Sequence, residues 1–379
     1  APAGAIRLRV SNDWHRDRRI GTGSDTTYDI DEQYRASTIG LELGVLKRFT
    51  VGVSVPWVTT KALALVSSPH PPIVVKDTVR TTVTENVLAP LVESSRNGWG
   101  NIEAFGKIVW LGEPGQQGRL GPRDGVHVRS AVVGGVLFGT GILSNAGDPF
   151  NIGTSDRARA LIAESATDLT VGKHFFGSLV ARYEKPMSDN VLVGVHAGSN
   201  PFANDLVTFV AQRKLGAKYQ IEFTPRYQLG RFFALGAQYR YRHGAGDAYI
   251  GQGTATDTLG NPITVDASSL DAGTAISEHR AGFGVVYSAV DAYTRNRSRI
   301  PMEVTFEYSR IVKISNDLPR ESEVVLSVRL FKRMWGTEFK PAPLPPKAPS
   351  LEPEAAPATP PAPTAPPAPP PATSTPPTP

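Results

Sequence analysis

Between residues 217 and 229 the chain alternates without a break: Tyr219, Ile221, Phe223, Pro225, Tyr227 and Leu229 share one parity, and Lys218, Gln220, Glu222, Thr224, Arg226 and Gln228 the other. A period of two puts successive side chains on opposite faces of an extended strand. After a turn at Gly230-Arg231 the pattern resumes, with Phe233, Leu235, Ala237, Tyr239 and Tyr241 opposed to Ala234, Gly236, Gln238, Arg240 and Arg242. The two runs predict an antiparallel hairpin with one apolar and one wet face. Ile6, Leu8 and Val10 alternate with Arg7 and Arg9 in the same way, and Ile39, Leu41, Leu43 and Val45 with Gly40, Glu42 and Gly44. The rhythm returns at 51–57, at 102–110, at 302–309 and at 324–330. No helical periodicity competes.

A soluble two-sheet sandwich alternates too, so three further features decide. The predicted strands are about 10 to 14 residues long, nearer to tilted membrane strands than to sandwich strands. Aromatics gather near strand ends, at Trp14, Trp57, Trp99, Trp110, Tyr241 and Trp335, as at a membrane boundary. The polar parity carries charge in mid-strand, which a dry core rejects and a wet lumen accepts. Long connectors near 15–35, 60–98, 143–164 and 244–275 alternate with very short ones at 46–49, 176–177 and 230–231. That asymmetry is typical of an outer-membrane barrel with long external loops and short periplasmic turns. The expected fold is therefore all-β, one antiparallel transmembrane barrel of 12 to 14 strands. The segments 190–197 and 206–212 either cross the membrane, giving 14, or lie together in an external loop, giving 12. The alternation of Val191, Val193, Val195 and Ala197 with Leu192, Gly194 and His196 favours 14. Either even number leaves both termini in the periplasm.

Composition divides the chain. Residues 341–379 hold 18 of the 33 prolines, no aromatic residue and only three charges, Lys347, Glu352 and Glu354. The expected organisation is a barrel over 1–339 and an extended Pro/Ala-rich tail over 340–379, without a core of its own. At about 3.1 Å per residue, a polyproline II tail of this length reaches on the order of 120 Å, enough to meet a periplasmic protein or peptidoglycan. There is no cysteine, which excludes a disulfide scaffold and a thiol nucleophile. No apolar run is long enough for a membrane helix. The opening Ala1-Pro2-Ala3-Gly4-Ala5 has no basic segment leading into an apolar one, so the chain reads as already processed. The net charge of +5 is spread along the sequence, unlike the basic stripe of a nucleic-acid binder. The expected partners are the lipid bilayer and an envelope component on the tail, with no nucleic acid; the oligomeric state stays open.

The run Leu41-Glu42-Leu43-Gly44-Val45-Leu46-Lys47-Arg48-Phe49-Thr50-Val51-Gly52-Val53-Ser54-Val55-Pro56-Trp57 resembles the second hairpin of the outer-membrane proteins grouped with the meta-pathway of phenol degradation. Gly98-Trp99-Gly100-Asn101 is similar to that family's strand opening, and Leu137-Phe138-Gly139-Thr140-Gly141 to its strand end. The order and spacing match over residues 36–185, although Asn101 stands where the family usually has Asp and Gly139 near the place of its Pro. The resemblance implies an outer-membrane channel or transporter for small, often hydrophobic or aromatic compounds.

Catalytic signatures are missing: no phosphate-cradling loop, dinucleotide fingerprint, Gly-x-Ser-x-Gly elbow or His-Glu-x-x-His metal site occurs. No enzyme activity, cofactor or metal is expected. The residual enzyme reading needs a strand-end Ser beside one of His127, His174, His196 or His279. The inward parity is more informative. It carries Arg7, Arg9, Lys107, Arg129, Arg182, Lys218, Arg226, Arg240, Arg242, Arg280 and Arg329 against Glu42, Glu103, Glu222, Glu303 and Glu307, eleven basic residues to five acidic. These charges either pair in ladders that stiffen the barrel or present a positive interior to anions. The candidates for solute contact are Arg226, Arg240 and Arg242, with Lys218, Arg280, Arg329, Glu222 and Glu303 around them. The function expected is passage of small hydrophobic, aromatic or anionic solutes, with a structural anchor of a larger envelope assembly as the alternative.

Overall fold

The computed structural model describes residues 3–22, 27–67, 92–112, 125–143, 153–172, 174–196, 206–256, 261–294, 298–315 and 321–334. The expectations for the tail, for Trp335, for Ala197 and for much of the 60–98 connector fall outside these residues.

The described chain is built from antiparallel strands: β1 (Ala5–Thr22), β2 (Thr27–Gly44), β3 (Phe49–Ser67), β4 (Val92–Trp99), β5 (Ile102–Leu111), β6 (Val126–Phe138), β7 (Ala160–Val171), β8 (Phe175–Pro186), β9 (Asp189–His196), β10 (Leu206–Lys214), β11 (Lys218–Leu229), β12 (Phe233–Gly244), β13 (Ala248–Ile250), β14 (Gln252–Thr256), β15 (Pro262–Asp266), β16 (Ile276–Ser288), β17 (Met302–Ile314) and β18 (Ser322–Arg333). β18 returns to β1 in a continuous register from Ala5↔Arg333 to Arg16↔Ser322. The sheet therefore closes. β4 and β5 act as one stave, since β4 pairs with the long-loop half of β3 and β5 with its other half. The wall thus has twelve staves, the remaining ones being β1, β2, β3, β6, β7, β8, β11, β12, β16, β17 and β18. Closure leaves no unpaired edge for the bilayer to desolvate.

The choice of 14 strands is corrected to 12. β9 and β10, which follow β8 in the chain, pair with each other, and β10 pairs with β13, in a separate sheet. Val191, Val193 and Ala211 are buried there against Ala267, with Phe209, Tyr249 and Leu270 packed around them. Alternation demands only that one face be covered, and here a small protein core covers it. Two smaller expectations shift as well. β7 ends at Val171 and β8 begins at Phe175, just ahead of the turn predicted at 176–177, and the predicted loop at 15–35 is mostly strand, because β1 and β2 pair as far as Thr22↔Thr27. Helix is confined to five-residue pieces among the described residues, Ala267–Asp271 and Val290–Thr294.

The apolar parity faces outward. Ile39, Leu41, Ile108, Val132, Leu179, Ile221, Phe223, Leu235, Phe283 and Phe306 are all exposed large hydrophobics on the outer wall, as a lipid-facing band requires. Aromatic rings bound this band at two levels. Near the short turns His174 stacks on Tyr227 and Phe233 packs on Tyr287. Toward the long loops Tyr183, Tyr219 and His243 follow one another across β8, β11 and β12, and Tyr241 meets His279 across β12 and β16. Trp57 and Trp99 form an edge-on pair with centroids 4.9 Å apart on the same outer face. The eight-residue climb from Tyr227 to Tyr219 spans roughly 20 Å at the usual strand rise and barrel tilt. Gly230, at φ 65°, supplies the left-handed residue that the tight β11–β12 turn needs.

Candidate functional site

Inside the wall, the predicted inward residues face the lumen and most of them are paired. Arg7 bonds Glu42, and Arg129 bonds Asp168, which also accepts from Ser178 Oγ at 3.0 Å. Arg182 grips Glu103 with two bonds of 2.8 and 3.3 Å and lies 3.6 Å from Glu164. Arg329 bonds Glu303 at 2.8 Å. Arg280 sits among Glu278, Glu321 and Glu323 at 2.9, 3.0 and 2.9 Å, and Arg240 also bonds Glu323. Thr224 donates to Glu222 at 3.2 Å.

The basic surplus of eleven to five is not what the lumen holds. Asp13, Glu164, Asp168, Glu184, Glu278, Glu321 and Glu323 also point inward, and Asp156 joins them from a loop, so among the described residues the eleven cations named meet at least thirteen carboxylates. The signal was in the parity. Glu323 shares the phase of Arg329, and β7, which brings Glu164 and Asp168, alternates too weakly for its inward face to be read from the sequence. Of the three solute-contact candidates, Arg240 is bound to Glu323, and Arg226 reaches Glu307 at 3.6 Å. Arg242, like Arg9, points inward and is exposed to the lumen, and neither has an ion pair among the described residues.

The Arg226–Glu307 bridge spans two intervening strands because the register sets Arg226, Gly236, Gly284 and Glu307 in one row. The two glycines leave the wall bare, and the long side chains lie flat over it. A Cβ on Gly236 would stand 3.1 Å from Arg226 Cγ, and one on Gly284 would stand 2.9 Å from Glu307 Cγ and 2.8 Å from the Phe306 carbonyl oxygen. Phe105 covers Gly52 and Gly135 by the same device on the other side of the barrel.

At the long-loop end the three family-like segments converge. The stave breaks at Gly100-Asn101, where the Gly100 N–H donates to Pro56 O at 2.9 Å and a Cβ would meet the Pro56 ring at the same distance. Residues 153–159 pass over the break as a strap. Thr60 Oγ1 donates to Gly153 O, Thr154 Oγ1 to Trp99 O and Thr140 Oγ1 to Gly100 O, at 2.9, 2.7 and 2.6 Å. Gly139 and Gly141 lie so close under Arg157 and Ser155 that a side chain at either would collide. Arg157, at φ 52°, holds the left-handed conformation at a typical cost of about 1–2 kcal/mol. Asn101 is the hub. Its Oδ1 accepts from Ser155 Oγ at 2.8 Å and from the Gly141 N–H at 3.4 Å, while its Nδ2 donates to Asp156 Oδ1 at 2.7 Å. A carboxylate at 101 could not make that last bond, which accounts for Asn at this position. Lys218 Nζ then ties Asp156 to the opposite wall at 3.1 Å, and lies 3.5 Å from Glu184. Burial alone would raise the Asp156 carboxyl, but Lys218 and the donors Ala158 N–H and Asn101 outweigh it and hold the group below its ordinary range.

Beneath the strap lies a cavity of about 420 Å³. Tyr34, Pro56, Val58 and Leu137 form its apolar wall, and Asp156, Glu184 and Lys218 its polar end. Sequence reasoning named Lys218 here. It met Asn101 only as a position in the family-like strand opening, and it missed Asp156, because a loop residue carries no parity.

The histidines do not assemble. His174 stacks near the short turns, whereas His279 bonds the Tyr239 hydroxyl at 2.7 Å at the opposite rim; His127 lies at the start of β6, and the His196 side chain falls outside the described residues. His243 Nδ1 lies 2.9 Å from Ser277 Oγ on the outer face, and among the described residues no carboxylate completes a triad.

No protein-family model matches the chain, and no curated protein matches it. Among solved structures, the COG4313 outer membrane channel from Pseudomonas putida F1 is similar over 88% of this chain and 97% of that one, with 10% identity and a TM-score of 0.52. The transport unit of the autotransporter AIDA-I from Escherichia coli and a Pseudomonas aeruginosa FadL homologue align at TM-scores of 0.39 and 0.36, with 8% and 11% identity, over 86% and 88% of this chain and 90% and 91% of theirs. With its lipid-facing band, closed wall and charged interior, the chain has the fold of an integral outer-membrane β-barrel.

Proposed function

We propose that this barrel is an outer-membrane channel for small molecules with an apolar or aromatic body and one polar end. The observation that carries this is the cavity under the strap, where an apolar wall faces Lys218, Asp156 and Glu184 at a scale suited to a small ligand. The family resemblance over residues 36–185 and the channel whose fold this chain shares support the same reading. The orientation that fits is long loops outward, with the short turns and both termini in the periplasm. Arg9 and Arg242 extend the path as unpaired lumen cations that favour anionic groups.

Reconstitution tests it. Proteoliposomes carrying the barrel should take up a small aromatic solute faster than protein-free vesicles, and Leu137→Trp, which fills the cavity, should cut that uptake at least fivefold. In planar bilayers, Arg242→Glu should shift ion selectivity toward cations. A folded barrel that passes neither ions nor solutes would favour the second reading, a structural anchor. The ladders of lumen ion pairs, which stiffen the wall, are what favours that alternative.

A further inference from the structure

The outer wall carries a site that the channel reading does not use. In the β16–β17 pairing the register steps between His279↔Lys313 and Arg280↔Ile311, so Val312 is an extra residue in β17. The bulge shifts the parity of the strand beyond it. Arg310 already faces outward and Ile311 is buried inward; with Val312 inserted, both Val312 and Lys313 are exposed on the outer face. Bulges re-aim side chains in this way.

Two cross-strand rows result. Tyr241, His279 and Lys313 share one, and Tyr239, Ala281 and Arg310 the next. Ala281, the small exposed residue in the centre, leaves a shallow saddle between Tyr239 and Arg310. Phe283 and Tyr308 stand one row nearer the membrane centre, with ring centroids 5.6 Å apart. The saddle therefore lies in the aromatic belt, where apolar wall gives way to polar surface.

Its charge is segregated. Arg310 and Lys313 make no ion pair among the described residues, while Glu278, Glu303, Glu307, Glu321 and Glu323 of the surrounding strands turn inward to Arg226, Arg240, Arg280, Arg329 and His15. Two unpaired cations over apolar rings, with no carboxylate on that outer face of β12, β16, β17 and β18, complement a group that is anionic at one end and acylated at the other.

We propose that this saddle binds the phosphorylated headgroup of a lipid in the leaflet beside the long loops. Arg310 and Lys313 take the phosphate, Tyr239, Tyr241 and His279 line the headgroup, and the acyl chains run down over Phe283 and Phe306.

The full-length barrel, placed in phosphatidylcholine vesicles containing a phosphorylated outer-leaflet glycolipid, is purified and its retained lipid counted by native mass spectrometry. About one glycolipid per barrel is expected for the wild type, and at least fivefold less for Arg310→Ala/Lys313→Ala. Lys332→Ala, an exposed residue at the short-turn end of the same wall, should retain the wild-type amount. The dephosphorylated glycolipid should be lost like the double variant, and inorganic phosphate should not compete at millimolar concentration. Equal retention by wild type and double variant, or of the two glycolipids, overturns the proposal; so does displacement by free phosphate. If the alanine pair does not insert, Arg310→Gln/Lys313→Gln, which keeps side-chain length, is judged by the same threshold.

Discussion

A glycine in the barrel wall has a different meaning according to what lies over it. Gly284 lies under the Glu307 chain and against the Phe306 carbonyl, whereas a Cβ on Gly134 would meet nothing within 4 Å. Gly284→Ala should therefore cost about 1–3 kcal/mol through overpacking against a backbone atom that cannot move aside. Gly134→Ala should be neutral or slightly stabilising, and urea unfolding of the two variants in one lipid separates the effects. The same residue-level logic applies to the strap. Asn101→Asp would place two carboxylates at 2.7 Å, so it should loosen 153–159, read as faster hydrogen exchange there, while the barrel still forms. The pH dependence has a definite sign. The Asp156 carboxyl is depressed in the folded protein, so its contribution is complete above the ordinary carboxylate pKa and is lost as pH falls through the lower folded value. Strap amides should stay protected from neutral pH down to the ordinary carboxylate range and open only below it. In Asp156→Asn they should exchange faster at neutral pH and lose that acid step.

At the scale of elements, parity decides energy. Ile221 faces lipid and its neighbour Gln220 faces the lumen, so Ile221→Arg should cost roughly 2–4 kcal/mol near the bilayer midplane and Gln220→Arg far less. Equal costs in lipid-vesicle unfolding would contradict the assigned faces. Such hairpins are legible because lipid on one side and water on the other impose a period of two on every residue. The same rule explains what is not legible. β9 alternates like a crossing strand, since the core around Val193 and Ala211 covers one face as lipid would. The two faces of β7 are not legible because Ala160, Ala163 and Ala166 blur its contrast, and its two lumen carboxylates are missed with them. Lys218 is legible as an inward cation, but its partner Asp156 arrives from a strap whose path depends on Gly139, Gly141 and a left-handed Arg157. Nothing periodic records such a close approach.

At the scale of the molecule, the barrel closes within the described residues. β18 completes its register with β1 at Ala5↔Arg333, and the Met334 N–H donates to Gly4 O at 2.7 Å. Among the described residues, the apolar band, the aromatic belts and most of the lumen pairs lie in the strands β1 to β18. The 18 prolines of residues 341–379 bring neither an apolar face nor aromatic anchors, so that segment has little to bury in a wall that is already complete. Deleting 341–379 should therefore leave membrane insertion and heat-modifiable gel mobility unchanged. It should also leave solute uptake unchanged, since the cavity under the strap draws on residues 34–218. If the tail tethers the barrel to the cell wall, full-length protein should co-sediment with peptidoglycan while the truncated barrel stays in the supernatant. Co-sedimentation of both forms would place any such attachment on the barrel itself. Loss of assembly on truncation would mean that the tail enters the lumen during folding, a role for which its prolines, lacking backbone N–H donors, are poorly equipped beside inward-facing Glu42, Glu103 and Glu222.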